Sequence, residues 1–488
     1  MKQKALFILF LYLKFRINFL PLGHTGDGWG YACEILKHGF FSPHHILYKP
    51  FTAFISWPIS SLFPQASPIY IFSLLNVIWS GIALYLFFLI LEIINPSNEK
   101  NIWAMMFVAF GFGFIRYSGE NETYILPILF SLLGTYFHFK KANKVWTYLF
   151  LSIAVLFHQI HIFWLLGFAI SDIIQNKNWK PLLISCAAIV SIYVGYAVHY
   201  RIAWYQLPFY DVHQGQVTTS LGIKNILFTP INFIRTFIQI HGDILLIIKI
   251  YKVYIISIIG IFLLTTTLFY SRFFILIQSI KSISLKKIKA HLNYSNPLIL
   301  TLLFHFLFAF YSEGNAEFMI MIPMLMIICL FQSNLVINPL LKLFSLFLII
   351  WNSIFYIIPS KQFDFKAVSR ITKNINDVSK INNLPVIFIS NNNILFNNYI
   401  EYNQLTSKFS KLNITVKSID DFNNESNCDY SKCILLTDAL NNNSSIDRKS
   451  VVSGIDNQSE IFSKKFKKHT TAIVRPNIAQ DIKLTELY

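Results

Sequence analysis

Apolar residues fill the first three-quarters of this chain in blocks, and short polar stretches separate them. A transmembrane helix needs about 20 largely apolar residues. Runs that reach or approach this length lie near 4–22, 68–94, 101–117, 122–139, 179–199, 243–270, 296–312, 316–333 and 339–359. The run 145–174 is too long for one crossing and carries "FHQIH" midway, so it predicts two short helices. The blocks add up to about eleven spans. Residues 46–63 hold Pro50 and Pro58 and predict a helix lying in the interface.

The pattern changes after residue 359. From 360 to 488 the chain is polar and rich in Asn, Lys and Ser, with short apolar runs in "PVIFIS", "ITVKSI" and "CILLTDA". These predict strands of a small soluble α/β domain. The Asn-rich stretches "NNNILFNN" and "NNNSS" read as loops or compositional bias, and "KKFKKH" reads as a solvated basic face that would also suit anionic lipid. The expected organisation is an α-helical polytopic membrane domain over 1–359 and a soluble extracytoplasmic α/β domain over 360–488. The tail holds no catalytic motif, so a chain ending near 360 is expected to keep some chemistry.

Composition supports the lipid assignment. Of 488 residues 54% are apolar and only 13% charged, about half the charge density of a soluble domain. The net charge of +17 fits Lys and Arg gathered in cytoplasmic loops, and no nucleic-acid partner is expected. The five cysteines show no paired zinc spacing; Cys428 and Cys433 would either bridge or remain thiols. Lys14 and Arg16 inside the first run are costly: either both snorkel or line a polar cavity, or the true start lies upstream.

With the amino terminus inside, the basic loops "NPSNEKN", "KKANK" and "QNKNWK" face the cytoplasm. Nearly all acids and histidines of the membrane domain then fall outside. Asp27, Glu34, Glu120, Glu122, Glu313 and Glu317 each lie within a few residues of a helix end. Near hydrocarbon such carboxylates mark function by default, although any one of them could be a solvated interfacial charge.

Asp27 sits in "TGDGWGY", where glycines permit a tight fold beside the carboxylate; a turn or helix-capping Asp is the competing explanation. His44, His45, Tyr48 and Lys49 follow as a polar patch. Asp27, His44 and His45 are suitable donor types for a divalent metal, but three converging ligands are required and no cofactor is expected. Arg116, Arg201 and Arg235 are the outer arginines. His158 lies in "FHQIH", and His213 lies in the aromatic-rich loop 200–242.

The stretch from Asp27 through Gly39, Phe40, Phe41, His44 and Leu47 resembles the first luminal loop of protein O-mannosyltransferases and their bacterial relatives. These belong to the GT-C superfamily of polyprenyl-phosphate-sugar glycosyltransferases. The match departs from the family pattern in two places: the proline of its H-P-P is displaced in "PHHILY", and Gly28 follows Asp27 where a second acid stands. "FIRYSGENETYILPILF" is similar to the junction that opens the fourth span, with Arg116 and Glu122 in the matching roles and Glu120 a second candidate. The similarity covers roughly the first 175 residues, with a sparse match at 311–318.

The resemblance implies a glycosyltransferase of the plasma membrane, plausibly bacterial, with its catalytic face outside. It would move a sugar from a polyprenyl-phosphate donor to a hydroxyl of a glycan, lipid or protein. Asp27, Glu122 and Glu120 are the expected catalytic acids. Substrate would be held by Glu34, His44, His45, Tyr48, Arg116, His158, Arg201, His213, Arg235, Glu313 and Glu317. A polymerase or ligase of lipid-linked glycans shares the many spans and large outer loop. A polytopic transporter or flippase would instead show charges and broken helices near mid-membrane.

Overall fold

The first apolar run forms helix α1, Lys2–Asn18. After it Thr25 caps a short helix, α2, Gly26–Leu36, its hydroxyl accepting from the Gly28 N–H at 2.9 Å. Helices α3 (Tyr48–Leu62), α4 (Pro68–Ile94), α5 (Asn98–Ala109), α6 (Phe112–Gly119) and α7 (Ile125–Phe139) follow. Then come α8 (Lys144–Phe157), α9 (Ile162–Asn176), α10 (Lys180–Tyr200) and α11 (Ile223–Phe237). The membrane-like part closes with α12 (Pro297–Tyr311), α13 (Ile322–Gln332) and α14 (Asn338–Asn352), which a π-helical turn at Ser353–Ile357 extends. This computed structural model describes residues 2–207, 222–238, 255–260, 263, 267, 295–312, 314–333, 338–362, 368–390, 392–406, 413–418, 421–422, 433–437, 468–474 and 482–487.

Among the described residues three helices are long and apolar enough to cross a membrane: Pro68–Ile94, Lys180–Tyr200 and Asn338–Gln362. A fourth arises if α5 and α6, bent by 64° at their junction, count as one broken span. Helices α7, α8 and α12 are apolar but shorter. The run 145–174 is two helices, as its midpoint histidines imply, with a 3₁₀ turn at Gln159–His161 between α8 and α9. Most of the run 243–270 lies outside the described residues, as do Cys428 and "NNNSS".

The chain divides into two compact units. The first comprises Met1–Leu20, Gly39–Gln239 and Ser257–Ile357. Small residues let its helices approach closely. A Cβ on Gly167 would come within 2.2 Å of Thr301 Oγ1, and one on Gly134 within 2.9 Å of the Thr147 carbonyl. Where helices break, buried asparagines satisfy the exposed carbonyls that the ladder leaves open. Asn352 Nδ2 donates to Phe110 O at 2.6 Å and Phe237 O at 2.8 Å. Asn225 reaches Phe310 O at 2.6 Å, Asn232 reaches Gly314 O at 2.8 Å, and Asn76 holds the carbonyls of Glu120 and Glu122 at 2.8 and 2.9 Å.

The second unit comprises Pro21–His38, Ile240–Ile256 and Ile358–Tyr488. It contains α15 (Val368–Asn382), β1 (Val386–Ile389), α16 (Asn393–Leu405), β2 (Ile414–Lys417), β3 (Ile434–Thr437), β4 (Lys468–Val474) and β5 (Ile482–Leu487). The three strands expected from "PVIFIS", "ITVKSI" and "CILLTDA" are β1, β2 and β3, and they are parallel in the order β2-β1-β3. The antiparallel β5 and β4 extend that sheet beyond β3. "NNNILFNN" is not a loop: it opens α16, because Leu395, Phe396 and Ile400 bury one side of a helix. Lys468 and His469 of "KKFKKH" belong to β4.

This unit also holds α2. Trp29 packs edge-on against Tyr399 at 5.1 Å and tilted against Tyr402 at 4.9 Å, while His24 caps its other side at 5.2 Å. Asn398 Nδ2 donates to Gly26 O at 2.8 Å, and Cys33 Sγ lies 3.3 Å from Asn398 O. Lys37 pairs with Glu401. Burial pushes the Cys33 thiol up to about 12, against the opposing pull of Lys37, so it stays protonated.

A buried carboxylate and guanidinium cluster

Glu120 ends α6 and Glu122 lies in the link to α7, two residues past that end. Both side chains are buried, at 7% and 4% exposure. The polar sequence "SGENET" breaks the helix here, and Asn76 from α4 holds the link by its two carbonyls. Asn121 in the same link accepts from the Tyr48 hydroxyl at 3.0 Å.

Arg116, one turn before Glu120, donates from Nε to Glu120 Oε1 at 3.2 Å. The same oxygen accepts from the Tyr356 hydroxyl at 3.0 Å. Glu317, in the 3₁₀ turn Ala316–Met319, accepts from Tyr124 at 2.9 Å. Tyr117 lies within electrostatic reach of Arg116, Glu317, Glu122 and Glu120 together, and Arg116 sits 5.0 Å from its ring centre. Arg116, Glu120 and Glu122 from one junction and Glu317 from another thus gather around Tyr117, with Glu120 and Glu122 buried and Arg116 and Glu317 half-buried.

Beside this group runs a row of imidazoles. The His45 ring stands 4.4 Å from that of His158, which lies 5.0 Å from Tyr124 and 6.4 Å from His161. His161 continues to His305 at 5.9 Å and contacts Ser131 Oγ through Nδ1 at 2.7 Å. Burial holds His45 well below the ordinary histidine value, with His158 and His44 adding to the effect. His158 is lowered likewise, first by burial and then by His161 and His44. Both are neutral at physiological pH. His44 meets Gln159.

Other expected residues stand elsewhere. Asp27 occupies the first turn of α2 in the second unit, exposed, where a carboxylate suits the helix dipole. Glu34 is exposed on the same helix. Arg201 is exposed in a left-handed conformation (φ 56°) after α10. Arg235, near the end of α11, donates to Asn232 Oδ1 at 3.2 Å. His213 and Glu313 lie outside the described residues. Among the described residues no group of three or more His, Cys, Asp or Glu side chains could hold a metal ion.

Sequence inspection missed Tyr117, Tyr124, Tyr356, His161 and His305, since buried aromatics at helical spacing look like ordinary core. Arg16 did stand out as a cation in an apolar run. It is 1% exposed and donates from Nη2 to Ile115 O at 2.7 Å, so it is enclosed rather than snorkelling.

No protein-family model matches the chain, and no curated protein matches it significantly.

Proposed function

We propose that the chain is an integral membrane glycosyltransferase that moves a sugar from a polyprenyl-phosphate donor to an acceptor hydroxyl at the outer membrane face. The observation that carries this is the gathering of Arg116, Glu120, Glu122 and Glu317 around Tyr117, with Glu120 and Glu122 buried. Burying carboxylates is costly unless they are paired, and the cost is commonly retained where chemistry needs it. A sugar on a lipid phosphate presents its reactive carbon at the membrane surface.

The chemistry divides among these residues. A carboxylate takes the proton of the acceptor hydroxyl, a step worth about 10²–10⁴-fold; Asp27 fills this role by its resemblance, with Glu122 and Glu120 the alternatives inside the buried group. Arg116 stabilises the departing phosphate. Substrate contacts are proposed for His44, His45, Tyr48, His158 and Glu317, and also for Glu34, Arg201, Arg235, His213 and Glu313. About eleven spans, an outward-facing site and a bacterial plasma membrane belong to the same proposal. No cofactor is invoked.

The 64° break between α5 and α6 favours a second reading as a transporter, whose sites form at broken helices. One experiment separates the two. Membranes carrying the chain receive radiolabelled polyprenyl-phosphate sugars. Label covalently attached to a new acceptor supports transfer; label appearing across the bilayer still on its lipid supports transport.

A further inference from the structure

The buried cluster contains donors and an acceptor that nothing fills. Among the described residues Arg16 Nε and Nη1 have no hydrogen-bond partner, and neither does Glu120 Oε2. Both side chains are more than nine-tenths buried, Arg16 at 1% and Glu120 at 7% exposure. They belong to one neighbourhood. Arg16 is fastened to Ile115, one residue before Arg116, and Arg116 binds Glu120. Tyr356, hydrogen-bonded to Glu120, feels the charge of both Arg16 and Arg116.

A buried unsatisfied polar group costs about 1–3 kcal/mol, and more when charged. The unmet set here is two guanidinium donors and one carboxylate acceptor. A fully ionised phosphate or a carboxylate ligand only accepts; it would answer Arg16 and leave Glu120 Oε2 facing a like charge. An ammonium group only donates and would leave Arg16 unanswered. A hydroxyl does both, accepting from the guanidinium and donating to the carboxylate. Adjacent hydroxyls on one ring could take both Arg16 donors. Phe112 packs edge-on to Tyr356 at 4.9 Å, and an aromatic ring suits the apolar face of a sugar.

We propose that Arg16 and Glu120 form a subsite for the hydroxyls of a neutral sugar ring, with Tyr356 fixing the Glu120 carboxylate. This rests on the glycosyl-transfer reading and assigns its sugar, as distinct from its phosphate, to a particular pair of side chains. Arg16 is then a specificity residue contributed by the first helix.

The test uses the full chain purified in lauryldimethylamine oxide, a detergent without sugar. A panel of methyl glycosides of hexoses and pentoses, and methyl phosphate, are titrated against the thermal unfolding midpoint. At least one glycoside raises the midpoint saturably. Its half-saturating concentration rises about tenfold or more in Arg16→Met, the loss expected for hydrogen bonds to a charged group. Should Arg16→Met fail to fold, Glu120→Gln puts an amide donor in place of the unmet Oε2 acceptor and keeps the side-chain shape, and the same loss is expected.

Methyl phosphate that protects the wild type but not Arg16→Met overturns the proposal in favour of an anion site. So does an unchanged glycoside curve in the variants, or a panel in which no glycoside protects. Radiolabel transfer by the wild type is scored separately. Glycoside protection without transfer keeps the subsite and removes the enzyme; transfer with an unchanged variant curve removes the subsite alone.

Discussion

The side-chain amide of Asn398 donates to the Gly26 carbonyl at 2.8 Å, joining the first turn of α2 to a helix 372 residues later in the chain. The residue beside Gly26 is Asp27. The helix that carries the expected base is therefore folded as part of the carboxy-terminal unit, with Trp29 set among Tyr399, Tyr402 and His24. Truncation after residue 360 is expected to leave α2 without its partner, expose Trp29 and open residues 26–36 to protease. Limited proteolysis of the inserted, truncated protein checks this; protection equal to the full chain would refute it.

Asp27→Asn is expected to lower turnover about 100-fold. Its side chain is exposed, so unfolding temperature should move little; the lost helix-terminal charge is worth about 0.3–1 kcal/mol. Initial rates of sugar transfer in detergent decide it. Near wild-type turnover would shift the base to Glu122, for which Glu122→Gln is the companion variant.

Arg116→Ala removes one of the two partners of Glu120 Oε1 and leaves a buried carboxylate on the Tyr356 hydroxyl alone. Loss of stability of about 1–3 kcal/mol is expected, with weaker donor binding. Arg116→Lys keeps the charge but not the planar donor geometry, so it should recover stability better than donor KM. Chemical unfolding and steady-state kinetics on the pair of variants test this; equal defects in both would deny Arg116 a geometric role.

Stability should fall as pH drops. His45 and His158 have folded values below the unfolded one near 6.5. The unfolded chain then binds more protons as pH falls through 6.5, and folding weakens with acid. Each histidine contributes up to about 1.4 kcal/mol per pH unit below that point. Unfolding midpoints between pH 7.5 and 5 should decline, and His45→Gln should flatten the slope. A slope that His45→Gln leaves unchanged would refute the assignment.

Gly314 has φ 65°, and a Cβ there would lie 2.5 Å from the Thr229 backbone nitrogen. Gly314→Ala combines left-handed strain of about 1 kcal/mol with a collision against backbone. It should loosen α11 from the turn that carries Glu317. Amide exchange in residues 223–237 reports the effect, and unaltered protection would count against it.

What was legible in the sequence followed local periodicity. The three parallel strands showed as short apolar runs, and "FHQIH" showed as a break, because three polar residues in five cannot continue an apolar helix face. The acids at helix ends were visible one by one, and Arg16 was visible as a misplaced cation. Their meeting was not, since Glu120 and Tyr356 stand 236 residues apart and no local pattern links them. The Asn-rich start of α16 misled because Asn favours turns; Leu395, Phe396 and Ile400 outweigh it by burial. The place of α2 was hidden for the same reason as that of Tyr356, with its partner helix near the far end of the chain.

The single amide of Asn352 grips the carbonyls of both Phe110 and Phe237. The first belongs to the bend between α5 and α6, the second to the last turn of α11. To straighten the bend, the Phe110 carbonyl would have to turn back into its own helix and let go of the amide. The amide would then hold the end of α11 alone, with one of its two donations unmet. The two helix ends thus share one side chain, and a rearrangement that keeps both bonds has to move them in step.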